Sequence, residues 1–197
     1  ATQPQNFPPP RVPLSPLLTP WHLRRGDGTY PGPFLRSQGI ANLTSARAAI
    51  AIALRHAGIG DGDAVLTPAY HCESMVSAIR WSGAEAVFYD VRADTAVDLA
   101  DIERRLSPAV KALLVVHYFG FPQDAGKLRA FCDRHRILLI EDCAHAIYGT
   151  VDGRSLGTFG DYSVASFMKF FPVFDGGCVV SDRLHRGDVE LRSAPLW

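Results

Sequence analysis

Residues 138–149 read LLIEDCAHAIYG, three aliphatic side chains running straight into Glu141, Asp142 and Cys143, with His145 close behind. A run that is apolar at every position, without the alternation of a half-exposed strand, predicts a strand buried on both faces. Such a strand ends on adjacent acids when its end opens onto a site. Three other stretches share the pattern: KALLVVHYFG (111–120) runs into His117, DAVLTPAYHC (63–72) into His71 and Cys72, and YSVASFMK (162–169) into Lys169.

Helical segments lie between these strands. SARAAIAIALRHAG (45–58) is alanine-rich and closed by Gly58, and ESMVSAIRWSG (73–83), DLADIERRL (98–106) and DAGKLRAFCDRHR (124–136) carry helical spacing. EAVFYDV (85–91) and CVVS (178–181) complete the strands. Apolar strands separated by helices predict a three-layer α/β/α domain on a mostly parallel sheet. Ligands of such sheets collect at the carboxyl ends of the strands, where His71, Cys72, His117, Asp142, His145 and Lys169 would meet on one rim.

Upstream the texture differs. FPPPRVPLSPLLTPW (7–21) and GDGTYPGPF (26–34) hold most of the proline, which fixes the backbone and removes donors. Residues 1–41 therefore read as an extended arm, with Trp21 and Phe34 suited to strapping it over the body, and 42–197 as the α/β domain.

Composition narrows the partners. The 197 residues are 47% hydrophobic and 20% charged, enough for one substantial core. Twenty Lys and Arg against twenty Asp and Glu leave no basic excess for nucleic acid or an anionic membrane. No stretch approaches the roughly 20 apolar residues of a membrane span, and the opening ATQPQNFPPP has no secretory pattern. Four cysteines without a CxxC pair fit a reducing cytoplasm.

Several chemistries fail on the rim. GIGDG (58–62) follows a helix and precedes a strand, so it is a helix stop and turn, not a dinucleotide fingerprint. Neither a GxxxxGK[ST] loop nor a GxSxG elbow is present. His117, Asp142, Cys143 and His145 lack metal-ligand spacing, and Asp142 and Cys143, adjacent on a strand end, should point apart. A Cys–His nucleophile pair has no motif behind it. Pyridoxal phosphate fits better. It needs a lysine to bond it, a carboxylate to keep its pyridine nitrogen protonated and a cradle for its phosphate. Lys169, Asp142 and the amino end of the 45–58 helix are the candidates.

Five ordered segments, TSARAAI (44–50), GDGDAVLTPAYHC (60–72), KALLVVHYFGFPQD (111–124), IEDCAHAIYG (140–149) and GTFGDYSVASFMKFFPVFDGG (157–177), resemble the phosphate turn, GDEVI-x-P, VHxxGxPxD, EDAAHAxG and lysine-loop motifs of the DegT/DnrJ/EryC1/StrS sugar aminotransferases. The resemblance implies the large domain of a fold-type I pyridoxal-phosphate enzyme, with the small carboxy-terminal domain absent from a chain that ends at LRSAPLW. It implies Lys169 as the cofactor-bonding, catalytic lysine, Asp142 at the pyridine nitrogen and His145 near the ring hydroxyl. Backbone N–H groups of Arg47 and Ala48 and the Ser166 hydroxyl would hold the phosphate, with His117 as a neighbour. Cys72 stands where many members stack an aromatic on the ring, which leaves that role to His71 or Tyr70 or makes the stacking weaker.

The resemblance further implies amino transfer from an amino acid such as glutamate to a nucleotide-linked keto-sugar, by a homodimer, in amino-sugar or surface-polysaccharide biosynthesis. Two alternatives stand beside it. One is a related sugar dehydratase, which commonly has histidine in place of the lysine that this chain keeps; the other is a non-catalytic or regulatory protein on the same fold.

Overall fold

The computed structural model describes residues 39–185 and 187–189. The arm with Trp21 and Phe34 lies outside the described residues. Seven strands form the main sheet: β1 (Ile40–Leu43), β2 (Ala64–Pro68), β3 (Glu85–Tyr89), β4 (Val110–Val116), β5 (Leu138–Asp142), β8 (Tyr162–Ser166) and β9 (Gly177–Val180), in the order β1-β9-β8-β5-β4-β2-β3. β3, β2, β4, β5 and β8 run parallel; β9 is antiparallel to both of its neighbours, so β1 points the same way as the others.

The strands bury both faces because helices cover both. β4 sorts its side chains by alternation: Ala112, Leu114 and Val116 pack with α1 (Ala46–His56) and α2 (Glu73–Ser82), while Leu113 and Val115 pack with α3 (Leu99–Arg104) and α4 (Ala125–His135). That gives the three layers expected from the sequence.

Local chemistry sets the helix ends. Ser45 caps α1, and Gly58 beyond it takes φ 73°. Asp98 and Asp124 cap α3 and α4 through side-chain oxygens, and Gly83 ends α2 at φ 94°. β1 begins at Ile40, inside the stretch read as arm. A small hairpin, β6 (Thr150–Val151) with β7 (Arg154–Ser155), turns through Asp152 and Gly153, both at positive φ. Among the described residues no helix is long and apolar enough to cross a membrane.

β8 and β9 are joined by the loop that carries Lys169, and both of its legs are fixed by backbone hydrogen bonds. Phe167 N–H donates to Gly176 O, and Gly176 N–H donates to Thr44 O, just ahead of α1. Gly177 lies tight against that helix start: a Cβ there would stand 2.6 Å from Ala46 N and Ser45 C.

Candidate active site

A cavity of about 460 Å³ opens at the carboxyl ends of the strands, lined by the amino end of α1, residues of the 70–75 segment, Tyr118 and Phe119, Asp142, Ala144 and His145, and Ser166, Met168 and Lys169. Its most buried charge is Asp142, 5% exposed at the last position of β5. Its Oδ1 accepts the Ala144 N–H at 2.8 Å, and among the described residues the carboxylate has no other hydrogen bond. Burial pushes its carboxyl above the usual range, against the Ala144 hydrogen bond and the charge of Lys169. A desolvated carboxylate of this kind calls for a cation.

Lys169 follows β8 through one short 3₁₀ turn, and its Nζ lies 2.8 Å from His145 Nε2. Burial, and secondly the charge of Lys169, depress the imidazole below the ordinary histidine value, so the ring is neutral at neutral pH. Phe119 holds the other side of that ring. Its N–H donates to His145 Nδ1 at 3.4 Å, and its own ring stacks on the imidazole at 5.7 Å. Phe119 reaches this position through a left-handed backbone, φ 54°, that non-glycine residues seldom adopt.

At α1, Ser45 Oγ accepts the Ala48 N–H at 3.2 Å. Ala48 is therefore spent on the cap and lines a neighbouring groove, not the cavity. The N–H groups of Ala46 and Arg47, which have no partner within the helix, remain at the dipole's positive end. Ser166, Arg47, Cys72 and His71 line the cavity. His71 donates from Nδ1 to the Pro68 and Ala69 carbonyls and stacks on Phe88 at 5.0 Å. Tyr70 lies beside Tyr118, whose hydroxyl donates to the Tyr70 carbonyl.

The structure does not bring His117 to the cavity. It is fully buried, takes the Gln123 N–H on Nδ1 and donates from Nε2 to Glu141 at 3.1 Å. Glu141 in turn accepts the N–H groups of Gly157, Phe159 and Gly160, joining β5 to the loop before β8. Ligand atoms of His117, Glu141 and Cys143 lie within 4.8 Å of one another, yet both His117 nitrogens and the carboxylate are already committed. Asp142, Cys143 and His145 diverge as well, with Cys143 packed into a core beside Cys178. Ser45, Tyr118 and Phe119 carry no role in the sequence reading, and Glu141 was read only as one of two acids at a strand end; the serine ahead of ARAAI was the one available signal.

Comparison with known proteins gives the family. The model of the DegT/DnrJ/EryC1/StrS aminotransferase family matches residues 33–186. The chain belongs to this family. Among curated relatives, a GDP-perosamine synthase of Vibrio cholerae is 36% identical over 152 residues, covering 76% of this chain and 41% of that protein. A UDP-N-acetyl-3-dehydro-alpha-D-glucosamine 3-aminotransferase of Acidithiobacillus ferrooxidans is 37% identical over 158 residues, covering 76% and 42%. The chain thus spans about two fifths of the length of these family members. Among solved structures, a sugar aminotransferase of Streptococcus pneumoniae in its PLP form superposes with a TM-score of 0.74 at 26% identity, covering 91% of this chain and 54% of that one.

Proposed function

We propose that this chain is the cofactor-binding portion of a pyridoxal-phosphate-dependent aminotransferase that moves an amino group from an amino acid, glutamate foremost, to a nucleotide-linked keto-sugar. The observation that carries the reading is the sharing of one cavity by Lys169 and the buried, under-coordinated Asp142. Family membership and the nucleotide-sugar relatives support it.

The lining fits the cofactor group by group. Asp142 would meet the ring nitrogen, since a cation there relieves the cost of burying the carboxylate. Ala46 and Arg47 N–H groups and the Ser166 hydroxyl would hold the phosphate, and Lys169 would bond the aldehyde carbon. When bound, pyridoxal phosphate supplies a carbon that takes up amines and a protonated ring that draws electrons from the bond being broken.

The chain's own residues handle the protons. Asp142 holds one on the ring nitrogen because an opposite charge at close range favours the protonated form. Lys169 Nζ would be the base that takes a proton from the substrate carbon and returns it on the cofactor's side of the shared nitrogen. His145, 2.8 Å away, would keep that amine aimed into the cavity. Phe119 and Tyr118 wall the site beside it.

The reading extends to a cytoplasmic homodimer that serves amino-sugar or surface-polysaccharide synthesis. Adding pyridoxal phosphate to the purified chain should produce the visible absorbance of a lysine-bound cofactor. Adding glutamate should then convert it to the amine form, and Lys169→Ala should show neither change. A band that persists in Lys169→Ala overturns the lysine assignment; a wild-type band that glutamate leaves untouched favours the non-catalytic alternative.

A further inference from the structure

Beside the cofactor cavity, and sharing Ser45 and Arg47 with it, a second hollow of about 460 Å³ runs between α1 and α2. Its walls are small and apolar, with Ala48, Ala51 and Ile52 from α1 and Ala78 from α2, and Trp81 stands along it, 60% exposed. The Arg55 guanidinium lies 5.0 Å from the Trp81 ring. An indole left this bare beside an apolar trough calls for a cover. Arg47 is the one charged residue on the lining, and among the described residues it makes neither an ion pair nor a hydrogen bond, so its N–H donors are uncommitted.

The described chain begins close to this groove. Gly39 is pinned to the sheet edge, where its carbonyl accepts the Ser181 N–H at 2.8 Å and an added Cβ would stand 1.9 Å from Ser181 O. β1 is the edge strand and leads through Thr44 and Ser45 straight into α1, which packs against it in the opposite direction. Gly39 therefore lies toward the end of α1 that carries Arg55 and its partner Trp81. Ahead of Gly39 the sequence holds VPLSPLLTPW (12–21), with three prolines and no charge. Proline at this density favours the polyproline II helix, whose three residues per turn set Leu14 and Leu17 on one edge and Leu18 and Trp21 on the next, and whose carbonyls have no internal partners.

Such segments are recognised by aromatic-lined grooves, and the parts agree in chemistry, length and direction. The trough is apolar, Trp81 supplies the aromatic wall, and Arg47 supplies donors for unpaired carbonyls. Leu17 to Trp21 covers about 12 Å in that helix, as does the rise from Arg47 to Arg55 along α1, about 12 Å. Residues 22–38 can span up to about 60 Å, far more than is needed to cross α1, about 10 Å wide. Arriving from Gly39, Trp21 meets Trp81 first and Leu17 falls toward Arg47. We propose that the α1–α2 groove seats this chain's own proline-rich arm, with Trp21 against Trp81, Leu17 and Leu18 in the alanine trough and Arg47 donating to the arm's carbonyls. Because Ser45 and Arg47 belong to both hollows, the seated arm borders the amino end of α1.

The test uses the full chain and follows tryptic cleavage after Arg11, Arg24 and Arg25, which flank the stretch, by mass spectrometry. Cleavage there tracks how often the arm leaves its seat. Trp21→Ala and Trp81→Ala should each speed it about tenfold, and the double variant should be no faster than either single, because both remove one contact. Trp81→Phe should restore most of the protection, and an unchanged circular dichroism spectrum reports that the body of each variant is folded. Equal cleavage of wild type and Trp81→Ala overturns the seat. So does a double variant in which the two effects multiply, which places Trp21 elsewhere. Protection that grows with protein concentration gives the groove to a second copy and overturns the proposal too. A wild-type arm cut as fast as a free peptide of residues 7–28 also overturns it, leaving the groove to another molecule. No cofactor enters the measurement, so its outcome is separate from that of the proposed activity.

Discussion

His145 Nε2 sits 2.8 Å from Lys169 Nζ, and the imidazole is held from behind by the Phe119 N–H and from the side by the Phe119 ring. The pair joins the strand end of β5 to the loop after β8, so the lysine's position depends on a residue 24 places away in the chain.

The pH dependence of amino transfer tests this pair. Burial holds His145 below the ordinary histidine value, so the neutral ring persists to lower pH than a free imidazole would allow. The acid limb of the rate profile should therefore lie below the usual histidine range, with activity falling as pH drops through the depressed value. His145→Gln should slow turnover by about 10²-fold and remove that limb. A limb unchanged in His145→Gln assigns it to another group.

Asp142 is expected to trade stability for function. Its raised carboxyl means that the native cofactor-free protein binds a proton more readily than the unfolded chain does, so stability falls as pH rises from the ordinary carboxylate value through the raised one. Asp142→Asn should remove that fall and melt a few degrees above wild type at pH 8 without cofactor. It should also lower turnover by about two to three orders of magnitude, as loss of a preorganised charge does. Parallel melting curves at pH 5 and pH 8, with and without cofactor, give both readings.

Cys72 should be the one thiol that reacts in the folded protein. Hydrogen bonds from Ser74 hold its thiol below the ordinary cysteine value and so favour the thiolate, aided by the charges of Lys169 and Arg47, and it is exposed in the cavity. Cys132 and Cys178 are buried and pushed up to about 12, and burial drives Cys143 well above the usual thiol value. Native iodoacetamide labelling read by peptide mass spectrometry should mark Cys72 alone, and bound pyridoxal phosphate should protect it. Labelling of Cys143 before Cys72 would contradict the buried core around β5.

Gly177→Ala should cost about 1–3 kcal/mol, since its new Cβ meets backbone atoms of Ser45 and Ala46 at 2.6 Å. It should weaken cofactor binding as well, because the displaced atoms belong to the phosphate end of α1. Gly126→Ala serves as the control: the nearest atom would be 3.9 Å away in the first turn of α4, and stability should hold or rise slightly in a urea titration.

Most of this fold was legible because its signals are local. Uninterrupted apolar runs gave the central strands, and Gly58 and Gly83 marked where α1 and α2 stop. β1 escaped because four residues beside a proline-rich stretch carry too little pattern, and its strand character comes from pairing with β9, more than 130 positions later. The β6–β7 hairpin did leave a signal, the Asp152-Gly153 pair between Val151 and Arg154. At the site, strand ends predicted which residues approach the rim but not which way they turn. His117 turns inward because Glu141 and the Gln123 N–H claim its two nitrogens, and Ala48 is withdrawn by the Ser45 cap. Phe119 was hidden for another reason: its left-handed backbone, φ 54°, is a conformation that no residue spacing encodes.

The hydrogen bond from Gly176 N–H to Thr44 O ties the return leg of the lysine loop to the residue at the threshold of α1. The amine and the anion seat are thus moored at a common point, and neither can drift without dragging the other. A phosphate drawn against Ala46 and Arg47 would take up slack in the loop on which Lys169 rides, so seating one end of the cofactor sets the reach of the amine for the other.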